Sequence, residues 1–448
     1  MKQHITISVS NAVLPPRPVR SWLSFLGDRS SETDVFHPRI DELLRRYRIP
    51  VWVTREYSRA SHRDWSPEEI QSGLNSIYRL ILRESRRVPS ELVNQISMLP
   101  FVRYARLGNA VGAALPTMEL SVFRQRRSSL GASIGIEDAR GYTEGDPSIR
   151  IAVLDTGVCL KHPELRGILE PGFDCVDLSK GMDEKALKDF VGDSLEMDPV
   201  PEDEVGHGTH VSGIISAQGI AMTRGVAPRC RIVPVRALAA MSKGSQLIGA
   251  GLEDNINSAV KWAVDHGRAD VINMSLGIKH EGGGLPHKEV VDYARRKGVS
   301  IVAASGNDGR RAYYYPGALR HVIATAASDE TGQPASFSTY GDQVSIMAPG
   351  TNIYSSFLDT KYASASGTSQ AAPFVTGAIA LMKSFAKQRG RNLKDPQIKQ
   401  ILKNTADKLD RSFKHPKAGF GQLNVADAMR LLEYRLGGRR AAPYRTYA

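Results

Sequence analysis

The sequence predicts an α/β architecture, a mostly parallel central sheet with helices on both faces, preceded by a small α+β unit. Three observations carry this reading. From Ile151 onward, continuous apolar runs, IAVLDTG (151–157), RIVPVRAL (231–238), VINMSLG (271–277) and SIVAASGN (300–307), alternate with helical segments at 246–265 and 287–297. That is the pattern of strands buried on both faces. The segment after Gly367 is apolar around its circumference, with Ala371, Ala372, Phe374, Val375, Ala378, Ile379, Ala380 and Leu381, which marks a helix packed inside a large protein. Finally, 448 residues exceed what one hydrophobic core organises, so at least two domains are expected.

Taken in order, the first hundred residues form the small unit. Ser66-Pro67-Glu68-Glu69 supplies a capping serine, a proline at the first helical position and a glutamate three residues after the cap; Ile70, Leu74, Ile77, Tyr78 and Ile81 follow at helical spacing. A second helix starts at Ser90-Glu91 and stops at Leu99-Pro100, where proline cannot continue the ladder. Phe101 to Leu107 alternates as a strand. Residues 108–135 mix Gly, Ala and Ser with the basic cluster Arg124-Gln125-Arg126-Arg127 and read as a linker. In the region that follows, reactive groups are expected at the carboxyl ends of the parallel strands, a rule that selects Asp155, Ser275 to Gly277, and Asn307.

Composition excludes several classes. With 41% hydrophobic and 24% charged residues the chain is not globally disordered. Three cysteines, Cys159, Cys175 and Cys230, make neither a disulfide framework nor a zinc-binding pair, and suggest a reducing compartment. The first residues, MKQHITISVSNAVLPP, lack a secretory apolar core and no stretch is long enough to span a bilayer; a cytoplasmic protein with no membrane partner is the expectation, with export by an unconventional route left open. The net charge of +12 is uneven, residues 1–130 carrying 20 Lys+Arg against 12 Asp+Glu while 131–382 carry 23 against 30. No RNP, zinc-finger or phosphate-loop pattern accompanies the basic ends, so pairing within the chain is expected and nucleic acid is not.

The chemistry lies in four short frames. Acyl transfer by a serine needs a base, a carboxylate to orient it, and donors for the oxyanion. Asp155 ends a buried strand in Asp155-Thr156-Gly157, where an acid is costly unless paired. His207 stands in Gly206-His207-Gly208-Thr209-His210 and opens a helix. Asn307 follows a strand in Ala304-Ser305-Gly306-Asn307-Asp308-Gly309, its amide able to donate. Ser369, in Gly367-Thr368-Ser369-Gln370-Ala371-Ala372-Pro373, begins the apolar helix. A serine there is more often a helix cap than a nucleophile. The order Asp, His, Asn, Ser breaks the tie, and the frame around Ser369 fails the G-x-S-x-G elbow of α/β-hydrolase esterases.

With these motifs the sequence resembles the subtilisin-like serine proteases over roughly Gly135 to Glu433. The resemblance implies a subtilisin-like three-layer fold and a serine endopeptidase with Asp155, His207 and Ser369 as triad. Asn307 and the Ser369 N–H would form the oxyanion hole. It implies that Ser275, Leu276 and Gly277 pair with substrate backbone and that Ala304, Ser305 and Gly306 line the P1 pocket. Small and uncharged, that lining suggests large apolar or mixed P1 residues, with Asp308 at its rim to admit a basic one. Gly225-Val226-Ala227-Pro228, Tyr315-Pro316-Gly317, Ala348-Pro349-Gly350 and Gly419 to Asn424 also match.

Two departures stand out: Gln370 replaces the family's common methionine, and Gln218 to Arg224 lacks the asparagine-rich sequence of the family's tight calcium site. No cofactor is required for the chemistry. The acidic stretch Asp174 to Glu204 leaves a structural calcium ion open, although without a D-x-D-x-D-G order it reads better as a solvated surface loop. ELVNQISMLPFVRYARLGNAVGAALP (91–116) is similar to the end of the propeptides that fold and then block these enzymes. The expected organisation is a propeptide-like inhibitor and chaperone domain at 1–116, a linker at 117–134 with processing at Arg127, a peptidase domain at 135–436 and a basic tail at 437–448. The partners would be polypeptide substrates and the chain's own N-terminal domain, in a zymogen. The alternatives are a catalytically idle peptide-binding module and a nucleic-acid-binding protein.

Overall fold

The computed structural model describes residues 4–22, 33–60, 64–84, 86–107, 110–111, 134–178, 187–244, 246–280 and 284–437. The cluster Arg124 to Arg127, with the processing candidate Arg127, and the basic tail beyond Gly437 lie outside the described residues. The N-terminal unit is an antiparallel sheet of β1 (His4–Val9), β2 (Val51–Arg55), β3 (Ile77–Leu82) and β4 (Val102–Leu107) in the order β2-β3-β1-β4. Helices α1 (Pro38–Arg46) and α3 (Ser90–Ser97) cover one face; α2 (Pro67–Ser72) lies between them in sequence. Period-2 alternation sorts β1: Ile5, Ile7 and Val9 pack with Ile40, Leu44, Leu92 and Ile96 under the helices, while His4, Thr6 and Ser8 point the other way. They are nevertheless buried, because the second body of the protein covers that face.

The helix expected from Ser66 through Ile81 is shorter than its spacing suggested. Its capping box forms, Ser66 accepting from Glu69 N and Glu69 accepting from Ser66 N. It then ends at Gly73, in the left-handed conformation at φ 81°, and the β-branched and aromatic residues beyond become β3. There Ile77, Tyr78 and Leu80 fit a pleated surface buried on both faces.

The second body carries seven parallel strands. These are β6 (Arg150–Asp155), β7 (Phe173–Asp174), β9 (Arg231–Arg236), β12 (Val271–Met274), β14 (Ser300–Ala304), β16 (Ile323–Ser328) and β17 (Val344–Pro349), in the order β17-β16-β14-β12-β6-β9-β7. On one face lie α4 (Ile136–Arg140), α5 (His207–Ser216) and α8 (Thr368–Lys387), with α9 (Asp395–Thr405) and α10 (Val425–Arg435) outside α8. On the other lie α6 (Glu253–Asp265) and α7 (Lys288–Arg296). The expected helix at 246–265 is half strand: β11 (Gln246–Leu252) hairpins with β10 (Ala239–Lys243), and Gly249 and Gly251 disfavour helix there. The hairpin is flanked by β8 (Phe190–Val191) on β10 and by β5 (Ala110–Val111) on β11. Among the described residues no helix is long and apolar enough to cross a membrane.

The acidic stretch is only partly a solvated loop. Near its ends Asp174 is buried against Arg236, which also meets Glu204 at 2.7 Å, and Asp203 is buried within a ring of donors described below, whereas Asp193, Glu196 and Glu202 are exposed.

The two bodies meet through buried charge. On the polar face of the small sheet, Arg79 and Arg106 flank Thr6 across three strands and face the first turn of α6, where the helix dipole favours acids. Asp254 accepts from His4 Nε2 at 2.8 Å and lies 3.3 Å from Arg79, which also grips Glu56; Arg106 meets Glu253 at 2.6 Å. Burial pushes the Asp254 carboxyl up, but Arg79, the His4 hydrogen bond and Arg106 together hold it well below the usual carboxylate range. Glu69 of α2 accepts from Lys261 of α6 at 2.8 Å.

Removing one partner from such a cluster strands the others without compensation. Arg79→Ala should therefore cost about 3–5 kcal/mol, read as a lowered urea midpoint of the full-length chain; a loss below about 1 kcal/mol, the value of an exposed pair, would contradict the cluster's role.

Candidate active site

Three expected site segments emerge side by side because β14, β12 and β6 are neighbours in the sheet. Asp155 is the last residue of β6, Ser275 to Gly277 follow β12, and Asn307 follows β14. The strand order reverses beside β6, which opens a crevice at this edge. Into it project the first turns of two helices, His207 being the first residue of α5 and Ser369 the second of α8.

Asp155 Oδ1 and His207 Nδ1 are 2.7 Å apart, with both side chains essentially out of water. The approach requires glycine: a methyl on Gly208 would stand 2.1 Å from the Gly157 carbonyl and 3.0 Å from Asp155 Cβ. His207 Nε2 is buried and has no hydrogen-bond partner among the described residues. His210, one turn on, lies 3.0 Å from the Ile353 carbonyl and 3.1 Å from that of Ala363 through Nε2. Burial, with His207 beside it, brings its pKa down to about 4, so it is a neutral structural residue.

Sequence reasoning missed what holds this pair. Asp203, four residues before His207, is buried and accepts five hydrogen bonds: from Thr156 Oγ1, Val205 N and Gly206 N on one oxygen, and from Thr209 N and Oγ1 on the other. Thr156 in turn accepts from Gly208 N at 3.0 Å. One carboxylate thus ties the residue after Asp155 to those flanking His207. A carboxylate just ahead of a helix start is the signal that was available.

Ser369 does not cap its helix. Gly367 is the N-cap and no side chain caps the first turn. Pro373, inside α8, has no N–H for the carbonyl four residues earlier; that carbonyl belongs to Ser369 and accepts from Ser275 Oγ at 2.8 Å. Ser369 Oγ donates to the Ser275 carbonyl at 3.0 Å, so its hydroxyl is not hydrogen-bonded to His207, whose Nε2 is unpartnered among the described residues. Asn307 Oδ1 accepts from Thr368 N at 2.9 Å and lies 3.1 Å from Thr368 Oγ1. Because an N–H must meet the oxygen, the Asn307 NH₂ is the end of the amide that points away from Thr368. Ser305 Oγ donates to the Thr339 carbonyl, and Ala304 and Ser305 are buried. Gln370, beside Ser369, is buried with both amide atoms unpartnered among the described residues.

The loop where the family's calcium site was expected to be missing is built for the opposite charge. Gly219, Ile220, Ala221 and Met222 all donate backbone N–H groups to Glu164, at 2.6–3.2 Å. Inward amides hold an anion, so these residues do not fit a cation. At the rim, Asp308 is engaged by Lys279 at 2.9 Å and by the Tyr314 hydroxyl at 2.9 Å, which leaves no free carboxylate for a basic side chain.

The subtilase family profile matches residues 146–422. The chain is 38% identical to the "thermophilic serine proteinase" of Bacillus sp. (strain AK1), over 96% of this chain and all of that protein. It is 37% identical to thermitase of Thermoactinomyces vulgaris, over 58% of this chain and 81% of that one. Among solved structures, the prenylagaramide maturation protease PagA is similar with a TM-score of 0.53 and 29% identity, covering 66% of this chain and 98% of that one.

Two outcomes follow from the geometry. Asp203→Asn turns an acceptor-only group, met by donors alone, into one that presents two N–H donors to them; stability should fall by about 2–4 kcal/mol, and an unchanged melting curve would contradict the donor ring. His210 has a folded pKa of about 4, below the unfolded histidine value. Its share of stability is present above about pH 6.5 and is lost as pH falls toward 4, on the order of 3 kcal/mol. His210→Gln should unfold with a shallower pH slope over that window, and an equal slope would refute the assignment.

Proposed function

Since the chain belongs to the subtilase family, and is a subtilisin-like serine endopeptidase acting on polypeptides, we propose that Asp155, His207 and Ser369 are its catalytic triad, with Asn307 as side-chain oxyanion donor. The observation that carries this is the buried Asp155–His207 pair with His207 Nε2 left unpartnered. Asp155 accepts the Nδ1–H and so fixes the tautomer whose lone pair is on Nε2. Nε2 takes the Ser369 Oγ proton as Oγ bonds to the scissile carbonyl carbon, and Asp155 steadies the imidazolium. The carbonyl oxygen becomes an oxyanion, met by the Asn307 NH₂ and by the Ser369 N–H at the positive end of α8. When the C–N bond breaks, His207 returns the proton to the departing amine. Water then attacks the acyl-enzyme by the same route and frees Ser369. In apo enzymes the serine–histidine bond is often not yet formed, which fits a Ser369 hydroxyl resting on Ser275.

We further propose that the N-terminal unit is an inhibitory propeptide. Its chain leaves β4 and forms β5, which pairs antiparallel with the β11 edge, Val111 opposite Gly251 and Ala110 opposite Leu252. An extended substrate would add as a strand in the same manner, with Ser275, Leu276 and Gly277 as the opposing edge and Ala304, Ser305 and Gly306 toward P1. The alignment over 96% of the chain takes in this unit. Self-cleavage would fall after Val111, with Arg127 the bond read from sequence and Leu115, Met118 or Leu120 the alternatives; mass spectrometry of the mature N-terminus decides among them.

Ser369→Ala should abolish casein hydrolysis and accumulate as the uncut 49.0 kDa chain. Asn307→Ala should lower kcat by about 10²–10³ with KM nearly unchanged. Separately produced residues 1–127 should inhibit the mature enzyme; salt should slow the onset by screening the opposite net charges, while the buried pairs keep dissociation nearly constant. Casein cleavage by Ser369→Ala at the wild-type rate would overturn the triad, and a fragment without effect at any ionic strength would overturn the propeptide.

A further inference from the structure

We propose that Tyr314 closes the P1 pocket and restricts this enzyme to small uncharged P1 residues such as alanine or serine, an inference that rests on reading Ser369 as the nucleophile. The two backbone segments expected to wall that pocket, Ser275 to Gly277 and Ala304 to Gly306, each end in glycine, and both glycines face the same side chain. A methyl on Gly306 would stand 2.5 Å from Tyr314 Cδ2 and 2.7 Å from Cε2; one on Gly277 would stand 3.1 Å from Tyr314 Cβ and 3.3 Å from Cδ1. The space that glycine opens on each wall is therefore taken up by Tyr314.

The ring is anchored at both ends. Its backbone belongs to β15 (Tyr314–Tyr315), which pairs antiparallel with β13 (Ile278–Lys279), Tyr314 opposite Lys279. At the other end the hydroxyl donates to Asp308 Oδ1 at 2.9 Å, while Lys279 Nζ holds Oδ2 at 2.9 Å and lies 5.3 Å from the ring centroid. A large P1 side chain would have to displace the ring and break the bond to Asp308. A basic one would meet Lys279 and a carboxylate already in use. This reverses the expectation of large apolar or mixed P1 residues drawn from the small uncharged lining, and it weighs equally against self-cleavage after Arg127, Leu115, Met118 or Leu120, none of which offers a small P1 side chain.

The test is a set of peptide p-nitroanilides identical except for Ala, Phe or Lys at P1, with Ser369→Ala as control. Ratios of kcat/KM within one preparation do not depend on its active fraction. Wild type should favour Ala over Phe by at least about tenfold, since a single methylene is worth about 10–200-fold in such pockets. Tyr314→Gly should invert the ratio, and Tyr314→Ala gives the same readout should the glycine variant fold poorly. Tyr314→Phe, which loses only the bond to Asp308, should keep the preference for Ala. Wild type cleaving the Phe or Lys peptide as well as the Ala peptide would overturn the proposal, as would an unchanged ratio in both small variants. If Ser369→Ala still hydrolyses the peptides, the active-site reading falls and this inference with it; if hydrolysis depends on Ser369 but the ratio is flat, only this inference falls.

Discussion

Everything at this site depends on keeping a carboxylate and an imidazole in contact where water cannot reach either. Asp155 is completely buried at the end of a parallel strand, a position in which an ionised acid survives only if its surroundings donate to it. The donors are the Thr156 N–H and the His207 ring, and a second buried carboxylate holds the segments that carry them in place. Asp203 collects donors from both sides of His207 and from the residue after Asp155, so the end of β6 and the start of α5 are one hydrogen-bonded unit. The same logic governs the serine. Pro373 removes a donor from α8, the freed Ser369 carbonyl is satisfied by Ser275 across the crevice, and the loop after β12 becomes locked to the helix. Thr368 and Asn307 add a third tie, to the loop after β14. Adjacency in the sheet supplies proximity, and side chain to backbone bonds supply the alignment.

The N-terminal unit extends this economy of buried polar groups. A four-stranded sheet with helices on one side ordinarily shows its other face to water. Here that face presents His4, Arg79 and Arg106, and the carboxylates at the start of α6 are placed to receive them. The opposite net charges of the two regions thus end in a few desolvated pairs, which hold register between two bodies more than they add affinity. Docking in that register delivers β5 to the β11 edge.

Much of this was legible in the sequence, for identifiable reasons. Strands buried on both faces show as unbroken apolar runs, so β6, β9, β12 and β14 read cleanly, and functional groups in an open parallel sheet lie at predictable ends. The four frames that carry the candidate site residues are local, each within a few residues. Longer-range features were not legible. Leu247, Ile248 and Leu252 suit a helix as well as a strand, and only the pairing of β10 with β11 decides. Ile77 to Leu82 continued the apolar spacing of α2 because both its faces are covered, by the helices and by the second body. Asp203 sat unnoticed within an acidic stretch whose charge suggested solvent, since the donors that make burial tolerable come from residues 156 to 209. Tyr314 was invisible as a pocket residue because Gly277 and Gly306 say only that space exists, not what fills it.

The central claim is that the Asp155–His207 pair exists to activate Ser369, and the location of a covalent adduct tests it most directly. The mature enzyme would be treated with a fluorophosphonate, digested, and the modified residue located by mass spectrometry, alongside His207→Ala handled identically. A single adduct on Ser369 in the wild type, slowed by about 10³-fold or more in His207→Ala, is the result the account predicts. An adduct on another serine, or labelling of Ser369 at the same rate without His207, would contradict it.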